Sequence, residues 1–324
     1  MPFHTFRPTL AAFAIGIAAL TPSAFSADAR TVAVTAIVEH PALDAARDGV
    51  RDELKAAGFE AGRNLNFEYQ SAQGNAGTAA QIARKFAGDK PDVIVALATP
   101  SAQAVVATTK TIPVVYSAVT DPVAAKLVKG WEASGTNVTG VSDLSPLARH
   151  LELIHQLLPN AKRVGVIYSP GEANSVALVE ALKKEVGKSG FALVEAAAAR
   201  TVDVPGAAQS LVGKADVIYA PTDNNVMSAF EGIVKVAQQG GLPVVAADTE
   251  AVKRGAVAAL GLNYYDLGRQ TGKLVVRVLK GEAPGSIASQ TASALELHLN
   301  QKAAQKQGVT LSDALLKSAK VVLK

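Results

Sequence analysis

The chain is 324 residues long, 49% hydrophobic and only 5% aromatic, with 32 Lys and Arg against 28 Asp and Glu and no cysteine. The missing cysteines exclude disulfides, a thiolate nucleophile and any Cys-based metal site. A net charge of +4, spread thinly with mild clustering near the C-terminus, lacks the dense basic stripe of a nucleic-acid binder.

Residues 1–29 read as a signal peptide. Arg7 supplies the positive n-region, and residues 9–20 are uncharged but too short for a bilayer span, which needs roughly 20 apolar residues. Cleavage after Ser26 or Ala29 satisfies the small-residue rule. The segment offers no cysteine for lipid attachment, so a free, soluble protein is expected after export. No later stretch has the apolar length of a membrane span.

Residues 31–38, apolar and β-branched, predict a first buried strand, ended by Glu39, His40 and Pro41. Pro41 is placed to enter a helix, whose stripe is Leu43, Ala46, Val50, Leu54 and Ala57. Strand 65–69 and helix 77–86 continue a βαβα rhythm. The third strand, 93–97, runs into Thr99, Pro100 and Ser101 before helix 102–109. The fourth, 113–116, runs into Ser117, Thr120 and Asp121, where Pro122 suggests another helix start. Strand 137–141 ends in Ser142 and Asp143, ahead of helix 147–158.

From Arg163 the pattern restarts, with strand 164–168, a loop to Asn174 and helix 175–187. Strand 192–196, helix 204–212 and strand 217–220 lead to Thr222, Asp223 and Asn224, then helix 227–239. Strand 244–246 ends at Asp248, strand 257–261 leads through Asn263 to helix 267–279, and strands 295–299 and 321–323 flank a Lys-rich helical tail.

The second half repeats the first. Lys-Pro-Asp-Val-Ile-Val-Ala at 90–96 returns as Lys-Ala-Asp-Val-Ile-Tyr-Ala at 214–220, and Ile-Pro-Val-Val at 112–115 as Leu-Pro-Val-Val at 242–245. Ala-Ala-Gly-Phe at 56–59 has its partner in Lys-Ser-Gly-Phe at 188–191. Two related α/β halves leave a cleft between them, where small ligands preferentially bind.

In open parallel sheets, ligands sit beyond the carboxyl ends of the strands. Those ends carry Glu39, His40, Thr99, Pro100, Ser101, Ser117, Thr120, Asp121, Ser142, Asp143, Asn174, Thr222, Asp223, Asn224, Asp248 and Asn263. Any one of them could be a plain helix cap; it is their clustering in both halves that points to a site. A carboxylate is expected at the helix start Thr99–Ser101, with Ser117 and Ser142 beside it. Asp121, Asp223 and Asp248 are the candidate ammonium partners. Asp248, just past Leu-Pro-Val-Val, takes the place that the repeat gives to Ser117 and is preferred, with Asp223 in reserve. There is no G-x-S-x-G, H-E-x-x-H, P-loop or G-x-G-x-x-G, and His150 and His155 stand five apart, off metal-ligand spacing. No catalytic residue, metal or cofactor is expected.

Residues 39–44 (EHPALD), 98–103 (ATPSAQ), 117–122 (SAVTDP), 137–143 (NVTGVSD) and 263–270 (NYYDLGRQ) resemble the substrate-binding proteins of a family of bacterial ABC transporters. The resemblance implies the type I periplasmic-binding fold: α/β, two Rossmann-like lobes with parallel sheets joined by a three-strand hinge. It implies a lobe one of 30–143 plus 263–285 and a lobe two of 144–262 plus 286–324, with hinge strands near 141–145, 261–263 and 286–295. Members bind aromatic amino acids such as tryptophan, phenylalanine or tyrosine. The function so implied is a monomeric periplasmic protein, not an enzyme, that closes on an aromatic or branched-chain amino acid and delivers it to an inner-membrane permease. A ligand sensor for a membrane receptor and a cleft enzyme are the alternatives. A lac-type repressor would need a DNA-binding helix-turn-helix where the signal peptide stands.

Overall fold

The computed structural model describes residues 1–3, 29–144, 146–292 and 294–324. The body of the expected signal peptide lies outside the described residues. The first lobe opens with β1 (Arg30–Ala36), α1 (Pro41–Ala56), β2 (Leu65–Ser71), α2 (Ala76–Asp89), β3 (Val93–Leu97), α3 (Thr99–Thr108), β4 (Val114–Val119) and β5 (Val138–Ser142). The second contains α4 (Leu147–Leu157), β6 (Arg163–Tyr168), α5 (Ala173–Lys188), β7 (Ala192–Ala197), α6 (Val204–Leu211), β8 (Val217–Ala220), α7 (Asn224–Ser228), α8 (Phe230–Gly240), β9 (Val244–Asp248) and β10 (Ala258–Leu262). The chain then returns to the first lobe with α9 (Tyr264–Leu279) and β11 (Gln290–Thr291). It ends in the second with β12 (Leu295–Asn300), α10 (Gln301–Lys306), α11 (Asp313–Ser318) and β13 (Val321–Leu323).

The sheets run β2-β1-β3-β4-β5-β11 and β7-β6-β8-β9-β10-β12-β13. Every pairing is parallel except β10 with β12. The first five strands of each lobe therefore take the same spatial order, and this is what the sequence repeat encodes. Its matched segments fall on β3 and β8, on β4 and β9, and on the turns that end α1 and α5. Strands buried on both faces read as continuous Val, Ile and Ala runs. The first sheet packs in one core that includes Val34, Phe86 and Leu97. The second has a core on each face, around Leu151 and Val166 on one and Ile218 and Phe230 on the other.

The chain crosses between lobes after β5, between β10 and α9, and between β11 and β12. The return segment runs past Gly285, because Gln290 and Thr291 pair with Val141 and Ser142 in the first sheet. It is anchored by a close helix pair. A Cβ on Gly268 of α9 would overlap the carbonyl oxygen of Ala46 in α1, and one on Gly49 would overlap that of Tyr265.

Three local expectations are corrected. No helix follows Asp121-Pro122: the Asp121 carboxylate accepts the N–H groups of Val123 and Ala124, both at 2.9 Å, and closes only a turn. Helix α3 begins at Thr99 rather than 102, so Pro100 and Ser101 lie in its first turn. The helix expected over 227–239 starts at Asn224 and breaks at Ala229 into α7 and α8.

Candidate ligand-binding cleft

The carboxyl ends of the two sheets face each other across a narrow cavity, whose empty space is about 340 Å³ with the open solvent at its mouth included. The first lobe contributes His40, Ala42 and Leu43 after β1, Ala98 and Thr99 after β3, Ala118 and Thr120 around the end of β4, and Asp143 after β5. The second contributes Asn174 after β6, Thr222, Asp223, Asn224 and Met227 after β8, and Asp248 at the end of β9; Tyr264 opens α9 between them. The lobes touch: α3 contacts α5 across the cleft, and a Cβ on Gly74 of the first lobe would lie 3.8 Å from Asn225 Oδ1 of the second.

Backbone geometry aims these groups. Ala98, the residue before α3, has φ 70° and ψ 158°, a conformation open essentially to glycine alone; strain of this kind gathers at ligand sites. It turns the chain sharply from β3 into α3, presenting the helix start to the cavity. Ala118 has φ 54° and interrupts the register of β4 against β5. The first-turn N–H groups of α1 and α3 have no partners within their helices, and the dipole there favours an anion.

Hydrogen bonding separates the acidic residues. Asp223 is fully buried and saturated: Ser169 N (2.7 Å), Ser169 Oγ (2.8 Å), Ser175 Oγ and Val226 N (2.9 Å) all donate to it. It staples two loops and caps α7. Asp248, 2% exposed, accepts only Glu250 N–H, at 2.9 Å on Oδ1, and its Oδ2 has no partner among the described residues. Burial pushes its carboxyl up to about 6; the Glu250 N–H and the charges of Arg254 and Lys253 pull the other way, while the Glu250 charge adds to the rise. Asp143 accepts the Tyr264 hydroxyl at 2.7 Å, and burial raises its carboxyl as well.

Three further buried polar atoms on the lining have no partner among the described residues: Thr99 Oγ1, His40 Nδ1 and Asn174 Oδ1. Burial first, and the Arg254 charge second, lower the His40 imidazole to about 3, so it is neutral at ordinary pH. Behind Asn174 stands Glu172, whose carboxylate accepts Asn224 Nδ2 at 2.6 Å and Asn174 Nδ2 at 3.3 Å. Burial, helped by the Asp223 charge, raises Glu172 to about 7.

Of the residues read from the sequence, His40, Thr99, Thr120, Asp143, Asn174, Thr222, Asp223, Asn224 and Asp248 line the cavity; Glu39, Pro100, Ser101, Ser117, Asp121, Ser142 and Asn263 do not. Glu39 is exposed and accepts Gln73 Nε2. Asn263 caps α9 through Tyr265 N and Asp266 N. Ser142 Oγ donates to Thr120 O at 2.8 Å. Ser117 Oγ lies 2.8 Å from Thr271 Oγ1, against α9. The equivalence of Asp248 with Ser117 is off by one. Aligning residues 112–115 with 242–245 pairs Ser117 with Ala247 and Ala118 with Asp248. Alternate strand residues face opposite sides, so Ala118 and Asp248 reach the cavity while Ser117 turns away. The apolar lining, Ala42, Leu43, Ala98, Ala118, Met227 and Tyr264, was not singled out as a ligand wall, although all but Met227 lie within the motifs at 39–44, 98–103, 117–122 and 263–270. Among the described residues, no group of His, Cys, Asp and Glu could hold a metal ion, and no helix is long and apolar enough to cross a membrane.

A family profile described as ABC transporter substrate binding protein matches residues 31–323. A tyrosine-binding protein of Clostridioides difficile (strain R20291) is 40% identical over 272 residues, spanning 84% of this chain and 79% of that protein. The solved structure of an ABC domain in complex with L-Trp from Streptococcus pneumonia is 33% identical, with a TM-score of 0.88 over 91% of this chain and 100% of that one. The ligand-free, open structure of a substrate binding protein with adhesive properties from Clostridium difficile is 40% identical, with a TM-score of 0.68 over 91% of this chain and 99% of that one.

Proposed function

The chain belongs to the ABC transporter substrate binding protein family, and we propose that its cleft closes on one free aromatic amino acid, held as the zwitterion. The observation that carries this reading is a pair of unsatisfied groups of complementary kind on opposite lobes. Asp248 Oδ2 in the second lobe is a buried carboxylate oxygen without a partner among the described residues, suited to an ammonium group. Thr99 Oγ1 in the first lobe, together with the helix starts beside it, is suited to a carboxylate. A buried charge is costly unless paired, so the ligand completes the site. Leu43, Met227 and Tyr264 give the cavity an apolar wall. Relatives named for tyrosine and solved with L-Trp support the aromatic class.

The chain superposes better on the L-Trp complex than on the open, ligand-free relative, despite sharing more identity with the latter. With the contact between α3 and α5, this supports reading the described arrangement as the closed form, reached by hinge motion at the crossovers. In this reading the protein works in the periplasm, hands its ligand to an inner-membrane permease and catalyses no reaction. Thermal melting against a panel of amino acids tests the binding step: a ligand at ~100 times its Kd adds about 2.7 kcal/mol. A shift with aromatic amino acids is expected. No shift from any aromatic or branched-chain amino acid would sink the proposal.

A further inference from the structure

Arg254 lines no part of the cavity, yet it joins two segments that do. It follows the short 3₁₀ turn Thr249–Val252, which Asp248 caps. Its guanidinium reaches across to the segment after β8. Nη1 donates to the Met227 carbonyl at 2.7 Å, and Nε and Nη2 grip Glu231 Oε1 and Oε2 at 2.6 and 2.7 Å. Met227 stands near the end of α7, where the helix breaks from α8 at Ala229. The last carbonyls of a helix lack partners within it, and Arg254 supplies one. The guanidinium carbon also lies 5.3 Å from the centre of the Phe230 ring, within reach of a cation–π contact. Exposed ion pairs contribute little, but the Arg254 side chain is only 12% exposed. Its two-point grip on Glu231 fixes direction as well as distance. One side chain thus spans the break between α7 and α8 and ties it to the turn that Asp248 caps.

We infer that Arg254 is a positioning residue for the ligand: from behind, it holds the Met227 and Asp248 segments of the second lobe's wall at a fixed spacing. This rests on the amino-acid reading above. Binding groups work only where a supporting shell keeps them in place, and Met227 and Asp248 sit on separate strand ends, after β8 and at the end of β9. Arg254 also contributes charge. With Lys253, it favours the ionised Asp248 carboxylate against burial and the Glu250 charge. The other titratable groups around Asp248 are Tyr264 of α9 and, on the cavity wall, His40, Asp143 and Asp223.

The test is calorimetric titration of the purified protein with L-tyrosine and L-tryptophan from pH 4.5 to 8. Arg254→Met keeps an apolar stem and removes both fork and charge. It is expected to bind the preferred ligand at least tenfold more weakly at pH 7.5. It should also lose binding at a higher pH than wild type, because Asp248 is then harder to ionise. Arg254→Lys keeps the charge without the fork, so it is expected to bind at least threefold more weakly while fading at the wild-type pH. A residue that serves only the fold would leave the pH profile in place. An unmoved profile in Arg254→Met therefore overturns the inference, as does an affinity within threefold of wild type. If Arg254→Met fails to fold, Glu231→Ala decides. The Glu231 side chain is 65% exposed, and its loss frees the fork; an unchanged affinity in this variant would overturn the inference. Wild-type binding of neither ligand would bring down the amino-acid reading and this inference together, whereas wild-type binding with unaffected variants sinks the inference alone.

Discussion

Replacing Asp248 by Asn separates its charge from its shape. The Asn oxygen can still accept Glu250 N–H, as Oδ1 does now at 2.9 Å, so the local turn is kept. What changes is the second position, where an unpartnered carboxylate oxygen becomes an N–H₂ donor facing the ammonium. Removing one partner of a buried charge pair costs about 2–5 kcal/mol, or a loss of roughly 30-fold or more in affinity. Ligand-free stability should move the other way. The Asp248 carboxyl lies at about 6 against an ordinary 3.8, so ionisation is harder in the folded protein than in the unfolded chain. Stability is therefore lost as pH rises from about 3.8 through 6, by roughly 3 kcal/mol at 1.36 kcal/mol per pH unit. Asn escapes this loss, less about 1–3 kcal/mol for a buried amide without a partner. The ligand-free variant should thus melt at or above wild type at pH 7 and lose that relative gain at pH 4. Titration calorimetry should show wild-type affinity falling below about pH 6 and a flat profile for the variant. A variant that binds within threefold of wild type would refute the ammonium role and leave Asp248 as a cap.

Thr99→Val should weaken binding roughly tenfold, the worth of about 1.5 kcal/mol for a hydroxyl donating to a charged group. Ser117→Ala, whose hydroxyl faces Thr271, should titrate within threefold of wild type. Asp223→Asn should lower stability in urea melts by about 2–4 kcal/mol, because an amide nitrogen would face donors that the carboxylate now accepts. Gly268→Ala should destabilise the first lobe by about 1–3 kcal/mol through overlap with Ala46. Helix propensity alone would stabilise that variant by up to ~1 kcal/mol, so the sign of its melting shift decides between packing and propensity.

The lobes were legible because their information is local and periodic. Buried parallel strands are continuous apolar runs, the helices carry stripes, and the repeat at 90–96 and 214–220 places both third strands. The strand ends were legible for the same reason: once strands are found, topology says where a ligand goes. The wiring of each side chain was not. Asp223 and Asp248 are the same residue type at neighbouring strand ends, yet one is saturated by Ser169, Ser175 and Val226 while the other keeps a bare oxygen. Apart from the local Val226 N–H, that difference is made by Ser169 and Ser175, 54 and 48 positions away. Ser117 was misplaced by one register step, which in a strand is a change of face. Ala98 and Ala118 lay within the motifs at 98–103 and 117–122, but nothing in an alanine announces a positive φ.

The most direct test of the account is whether the cleft requires both charges of a free aromatic amino acid. Calorimetric titration of the refolded, ligand-stripped protein should compare L-tyrosine and L-tryptophan with their N-acetyl amides, which keep the side chains but lack both charged ends. The account predicts one-to-one binding of at least one free amino acid and at least a hundredfold weaker binding of its neutral derivative. Equal binding of the two forms, or no binding of either free amino acid, would contradict it.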